Sequence, residues 1–455
     1  MTHEAMSGGE APAPRPEPAT SRLEMQETEV GSVFVSNYPP FSQWSREALG
    51  DYRAVLEAPA VAETPPLGLY LHIPFCRKRC DFCYFKVYTD KNAAQIRRYL
   101  DALLAELDLY RDAPRIAGRR PDFVYFGGGT PSYLSSDQLR TLFEGLRERV
   151  PWDDAREVAF ECEPGTLQEG KVRLLRELGV TRLSLGVENF DPDILERNNR
   201  AHRAVEIDRA WGYVRSAGFP QVNVDLIAGM IGESDENWSR CIQRTLELEP
   251  DSITVYQMEV PYNTTIYQRM SDDATDVAPV ADWETKRRWT REAFERFEAA
   301  GYAVGSAYTA YRPPAEFVYR DALWHGADML ALGVASFGHL GGVHFQNEHT
   351  FDAWIERVEA GERPASRALV LADEERLIRE LVLQMKLGRV DPRTFERKFG
   401  VDVLARFAEP LRRHAAAGLL EVGPDAIRAT REGLLRIDTL LPDFFLERHQ
   451  NARYA

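Results

Sequence analysis

Residues 68–83 read Gly68-Leu-Tyr70-Leu-His72-Ile-Pro-Phe75-Cys76-Arg-Lys-Arg-Cys80-Asp-Phe-Cys83. The first half, Gly68–Phe75, is a β-forming run. The second half is a basic loop holding three of the chain's five cysteines. A structural zinc site wants four closed ligands, and no Cys or His pair with finger spacing accompanies these three. A four-iron cluster takes one ligand per iron. Three cysteines would leave one iron for a small chelating molecule, and Arg77, Lys78 and Arg79 suit its negative charge. The alternatives are a zinc loop or a chance cluster.

Outward from this loop, β-rich runs alternate with amphipathic helical stretches. The predicted strands are Gly68–Phe75, Phe123–Phe126, Val158–Cys162, Arg182–Val187, Gln221–Ile227 and Ser252–Met258. Helices are predicted at Ile96–Tyr110, Ser136–Arg149, Lys171–Leu178, Ala204–Ala217, Glu236–Leu248 and Trp283–Ala300. This alternation predicts an α/β fold with a parallel sheet, doubly wound or a partial barrel, whose chemistry collects at the C-terminal strand ends.

The expected organisation has five parts. Residues 1–30, rich in Ala, Pro, Glu, Ser and Gly, form a disordered tail. Residues 31–66 form an aromatic, Pro-containing N-terminal arm. Residues 67–280 form the barrel and 281–365 an extension lining the pocket. Residues 366–455 change character, with short helices at Asp373–Lys386, Asp391–Phe399 and Val401–Ala417 before a small hairpin. That order predicts a winged-helix-like α+β module acting as a structural or substrate-covering lid.

Composition sets the limits. The 455 residues carry 56 Lys and Arg against 71 Asp and Glu, a net charge of −15. An acidic chain argues against broad nucleic-acid binding, which needs a positive surface. No apolar run approaches the ~20 residues of a bilayer span, and no secretory signal is visible. The expectation is a cytoplasmic protein with reduced thiols, a small-molecule substrate, and no nucleic-acid or membrane partner.

Further motifs follow the cysteine loop: Gly127-Gly128-Gly129-Thr130-Pro131, Glu161-Cys-Glu163-Pro164, Gly186-Val-Glu188-Asn and Asp225-Leu-Ile. With these, residues 31–445 resemble the radical S-adenosylmethionine (SAM) superfamily. The closest branch contains oxygen-independent coproporphyrinogen III oxidases (HemN-like), haem chaperones and related methylases. The resemblance implies a partial (β/α)6 barrel, a 4Fe-4S cluster on Cys76, Cys80 and Cys83, and SAM chelated at the open iron. It places Tyr70 and Phe82 beside SAM, Gly128, Gly129 and Thr130 at its amino group, and Arg200 at its carboxylate. Glu161, Glu188 and Asp225 would end the third, fourth and fifth strands and bond ribose or the sulfonium region.

The oxidases carry a fourth cysteine two positions after the third; here that residue is Phe85. Since the methylases and cyclopropanases also lack it, the expected reaction is methyl or methylene transfer to an sp2 carbon, with a second SAM as donor. Ala331–Gly338 and Phe345-Gln346-Asn347 resemble the stretch lining that second site, and Glu259 stands where the oxidases have a small residue. His344 is the expected proton-transfer residue. Coproporphyrinogen oxidation and haem chaperoning are the alternatives. The family chemistry implies an electron donor such as flavodoxin or ferredoxin.

Overall fold

The computed structural model describes residues 28, 31–61, 63–272 and 279–450. The predicted tail lies outside the described residues, Thr28 apart. Twelve strands form one sheet. They are β1 Leu67–Ile73, β2 Pro121–Gly128, β3 Glu157–Cys162, β4 Arg182–Glu188, β5 Gln221–Ala228, β6 Ser252–Gln257, β7 Ala303–Val304, β8 Thr309–Tyr311, β9 Asp328–Leu332, β10 Phe337–Leu340, β11 Val343–Asn347 and β12 Ala365–Val370. Their order is β12-β11-β10-β9-β1-β2-β3-β4-β5-β6-β8-β7. The six predicted strands run parallel in sequence order. Unforeseen, β9 lies parallel along the other edge of β1, pairing Leu67 with Asp328 and Tyr70 with Ala331. This is the α/β partial-barrel architecture expected from the sequence.

Alternation along β1 shows how the barrel is organised. Leu67, Leu69, Leu71 and Ile73 enter the main apolar core, at about 1.5–3 kcal/mol for each buried side chain. Tyr70 and His72 take the opposite face, as period 2 requires. Capping boxes start two covering helices, Asn92 with Gln95 before Ala93–Arg111 and Ser135 with Gln138 before Ser136–Arg149.

In the C-terminal part, the predicted helix 401–417 is two, Val403–Arg406 and Ala408–Ala416, divided at Phe407. The hairpin strands Leu420–Gly423 and Ala426–Ala429 gain a third, Arg389–Val390, too short to read from sequence. Val35 and Tyr38 of the arm share this part's apolar core with Leu377, Leu381, Phe395 and Leu440. No helix among the described residues is long and apolar enough to cross a membrane.

Candidate active site

The C-terminal ends of β1–β6 open into one cavity of about 1040 Å3. Its wall includes all three loop cysteines and Tyr70, Phe82, Gly128, Gly129, Thr130, Glu161, Glu188, Arg200, Asp225 and Glu259. Thus thirteen positions, from the first five strands, the cysteine loop and the segments that follow β2, β4 and β6, face a common space, although about 180 residues separate Cys76 from Glu259.

The cysteine loop is braced from several sides. Arg77 forks onto Glu163 at 3.0 and 2.8 Å. Arg79 donates to the carbonyls of Cys83 at 3.0 Å and Asn263 at 2.9 Å. Two of the three basic residues therefore hold the loop's shape. Burial works to raise the Glu163 carboxyl, but bonds and charges from His202 and Arg77 together hold it down at about 2. The Thr130 hydroxyl lies 3.3 Å from Cys76 Sγ, and Arg200 Nη1 lies 3.3 Å from Cys80 Sγ. Burial pushes the Cys76 thiol up to about 12 and Cys83 to about 11. Among the described residues no three His, Cys, Asp or Glu side chains could hold a single metal ion. A 4Fe-4S cluster makes a different demand, one thiolate per iron. A loop with hydrogen-bond donors aimed at two of its sulfurs fits that demand, since such bonds stabilise thiolate charge.

The glycine turn is stitched to β1. Gly129 N–H donates to Ile73 O at 2.8 Å and Thr130 N–H to Phe75 O at 2.8 Å. Gly128 adopts φ +114°, and a Cβ there would meet the His72 ring at 2.5 Å. A Cβ on Gly129 would lie 2.8 Å from the Pro74 backbone. The turn thus brings bare backbone to the cavity, where no larger residue fits.

Three carboxylates follow on successive strands. Glu161 accepts from Tyr125 Oη at 2.7 Å and Gly128 N–H at 3.1 Å, and burial raises it to about 7. Glu188 ends β4 with φ 63°, rare for a non-glycine residue, and lies 3.3 Å from Arg200. Burial raises it to about 7 against the pull of Arg200. Asp225 sits within β5 and not at its end. Its oxygens accept from Ser184 Oγ and Asn223 Nδ2, each at 2.8 Å, and burial raises it. Arg200 is engaged internally, by Glu188, Cys80 and the Gly186 carbonyl at 2.7 Å.

Two expected residues stand outside the cavity wall. Phe345 is fully buried on β11, its ring 4.7 Å from Tyr52. His344 is also fully buried, stacked on Trp44 at 5.0 Å and 3.0 Å from the Tyr38 carbonyl. His339, its partner across the strand pair, faces the cavity instead and touches His344 Nδ1 at 3.0 Å. Glu259 reaches the wall, but its carboxylate receives the Val33 and Phe34 N–H groups at 2.9 and 3.1 Å and the Ser32 hydroxyl.

Several wall residues went unmarked in the sequence. His72 stands two residues after Tyr70 on the same face of β1, a signal that strand alternation supplies. Phe34, Asn37 and Phe41 line the cavity from the arm, Trp283 and Arg287 from the helix Trp283–Ala299, and Arg379 from Asp373–Met385. A lone arginine in an amphipathic helix carries no sequence signal of this kind.

Residues 70–244 match the family model "Radical SAM superfamily" and residues 371–436 match "HemN C-terminal domain". The oxygen-independent coproporphyrinogen III oxidase of Escherichia coli (strain K12) is 28% identical over 435 residues, covering 92% of this chain and 93% of that protein. The heme chaperone HemW of Mycobacterium tuberculosis (strain ATCC 25618 / H37Rv) is 29% identical over 400 residues, covering 86% and 98%. The structure of HemN from Escherichia coli superposes with a TM-score of 0.78 at 25% identity, covering 92% of this chain and 99% of that one. The chain contains a radical SAM domain and a HemN C-terminal domain, and the proteins it is similar to are HemN- and HemW-like.

Proposed function

We propose that this protein is a radical SAM oxidoreductase that oxidatively decarboxylates a propionate side chain of coproporphyrinogen III. The observation that carries the reading is the cavity. At about 1040 Å3 it exceeds the upper end of the roughly 300–1,000 Å3 usual for small-molecule sites. Its wall is also aromatic, with Tyr84, Phe85, Tyr256, Tyr308 and Trp324. There is room for a large flat ring beside a nucleoside. The likeness to coproporphyrinogen oxidases over 92% of the chain supports the same substrate class.

Cys76, Cys80 and Cys83 would hold the cluster and Gly128–Thr130 the SAM beside it. When bound, these groups would supply one-electron cleavage of SAM and so hydrogen-atom abstraction from the substrate. Glu161, near the end of β3, and Asp225, within β5, offer acceptors to bound hydroxyls. Glu188 and Arg200 keep a charged pair beside the loop. The arm closes one side of the cavity and excludes water. An external one-electron donor such as flavodoxin or ferredoxin would start the cycle, and a one-electron acceptor would take the electron that the substrate radical gives up as carbon dioxide leaves and the vinyl group forms.

Methyl or methylene transfer is the second reading, favoured by one observation. Phe85, which replaces the oxidases' fourth cysteine, is 44% exposed toward the cavity and lies 4.5 Å from the Tyr84 ring. A second SAM would then fit against Ala335–Gly338.

The test is anaerobic incubation of the reconstituted protein with reductant, SAM and coproporphyrinogen III. Carbon dioxide and a vinyl product formed in step with 5′-deoxyadenosine support oxidation. A heavier substrate with S-adenosylhomocysteine replaces it with methyl transfer. Stoichiometric haem binding without turnover replaces both with the chaperone role that HemW relatives carry.

A further inference from the structure

Most buried cations around the cavity are answered from within the protein. Lys386 meets Asp438 at 3.1 Å and the Val35 carbonyl at 2.7 Å. Lys286 meets the Met258 carbonyl at 2.7 Å and the Thr28 hydroxyl at 2.6 Å. Arg200 meets Glu188 at 3.3 Å.

Two guanidiniums break this pattern. Arg287 is 7% exposed, makes no hydrogen bond or ion pair to any described residue, and has a buried, unpartnered Nε. The Trp283 ring lies 5.4 Å away, and the Glu432 carboxylate, which acts on Arg287 without pairing with it, is bonded to Arg291 and Arg436. Arg379 is 5% exposed and donates only from Nε, to Asn37 Oδ1 at 3.0 Å. It has no carboxylate within ion-pair distance among the described residues. Both line the same cavity, from different helices in different parts of the chain. A third, Arg367, bonds Gln346 Oε1 at 2.6 Å and the Phe41 carbonyl at 2.9 Å, again with no carboxylate.

A buried, unpaired charge is costly and persists where something else compensates it. Guanidinium is the side chain built for planar bidentate recognition of carboxylate. We propose that Arg287 and Arg379 are substrate receptors, each taking one carboxylate arm of a flat polycarboxylate that spans the cavity. The proposal rests on the tetrapyrrole reading for the identity of that substrate. It adds which residues of this chain recognise the acid groups, and that recognition comes from two separate walls.

The test uses cluster-loaded, full-length protein under anaerobic conditions and reads binding, not turnover. Coproporphyrin III and the tetraamide of the same ring are titrated by fluorescence quenching. The expected result is that the acid binds about 100-fold more tightly than the amide. Arg287→Gln and Arg379→Gln each weaken acid binding about tenfold or more while leaving amide binding and iron content unchanged. Arg287→Lys and Arg379→Lys recover part of the loss. Equal affinity for acid and amide in the wild-type protein overturns the proposal, and that comparison needs no variant to fold. So do folded, cluster-loaded Gln variants that bind the acid normally.

If neither ring binds, the tetrapyrrole reading falls, and the arginines are tested separately by thermal melting with glutarate, adipate and suberate. A rise in the wild-type midpoint that both Gln variants lose keeps the dicarboxylate assignment. No rise, or a rise retained in the variants, overturns it.

Discussion

The carboxylate of Glu259, just past the end of β6, accepts the backbone N–H of Val33 at 2.9 Å, from 226 residues earlier in the chain. It takes the Phe34 N–H at 3.1 Å and the Ser32 hydroxyl as well, so one side chain latches the arm over the cavity. Glu259→Ala strips the acceptor from two backbone donors, at about 1–3 kcal/mol. Expected are faster proteolysis between residues 31 and 45 and weaker substrate binding, with iron content unchanged. Limited digestion followed by mass spectrometry reads the first. An arm as resistant as the wild type's would mean that Val35, bonded to Asp438 at 2.9 Å, and buried Tyr38 hold it without Glu259.

Gly128 and His72 are in steric competition. A Cβ at position 128 would sit 2.5 Å from the His72 ring, and φ +114° strains any L-residue there. Gly128→Ala is expected to cost about 1–3 kcal/mol for the backbone alone and to abolish 5′-deoxyadenosine formation. Adding His72→Ala removes the clash but not the strain, so the double variant regains part of its stability. Gly170→Ala is the control. Its Cβ meets nothing within 4 Å at a helix start, so it is neutral or stabilises by up to about 1 kcal/mol. Urea unfolding of the four proteins decides.

How much of this was legible follows from what each segment faces. The six parallel strands show in the sequence because each is a short apolar run set between amphipathic helices. Tyr70, the glycine turn, Glu161 and Glu188 were found because motif order survives in one chain. Asp225 is set at a strand end by its place in the motif order, yet the predicted strand Gln221–Ile227 and the observed β5 both run past it. The resemblance sets Phe345 at the ligand and the proton-transfer expectation falls on His344, whereas all of β11 is buried. Alternation then cannot tell the cavity face from the core face. Arg287 and Arg379 were invisible for another reason, since being unpaired is a property of three dimensions.

Cys162 apart, the cysteines divide by surroundings. Cys76, Cys80 and Cys83 line the cavity beside hydrogen-bond donors, whereas Cys241 is buried in the core with its thiol 3.1 Å from Asn189 Oδ1. Each of Cys76→Ala, Cys80→Ala and Cys83→Ala is expected to lose most of the bound iron and the visible cluster absorbance. Cys241→Ala is expected to keep both and lose only about 1 kcal/mol of packing. Iron and sulfide analysis after anaerobic reconstitution measures this. Full iron loading in any of the three loop variants would remove that residue from the ligand set.

Glu106 carries a pH dependence into the segment after β9, whose Ala335 and Ser336 line the cavity. It is fully buried and accepts from Gly333 N–H at 2.7 Å, Asn347 Nδ2 at 2.6 Å and Trp354 Nε1 at 3.2 Å. Burial raises its carboxyl from 4.5 to about 8, outweighing those three donors. Below about pH 4.5 the group is neutral in both folded and unfolded chains, and its contribution to stability is fully present. As pH rises from there toward 8, the unfolded chain gives up the proton while the folded protein keeps it. Stability therefore falls, by up to about 1.4 kcal/mol per pH unit, and levels off once the folded group ionises as well. Glu106→Gln removes this titration. The wild type should accordingly lose stability relative to the variant between about pH 5 and about pH 8. Urea midpoints of both proteins across that window measure the difference. A difference that stays flat with pH would mean that the three donors hold Glu106 ionised throughout.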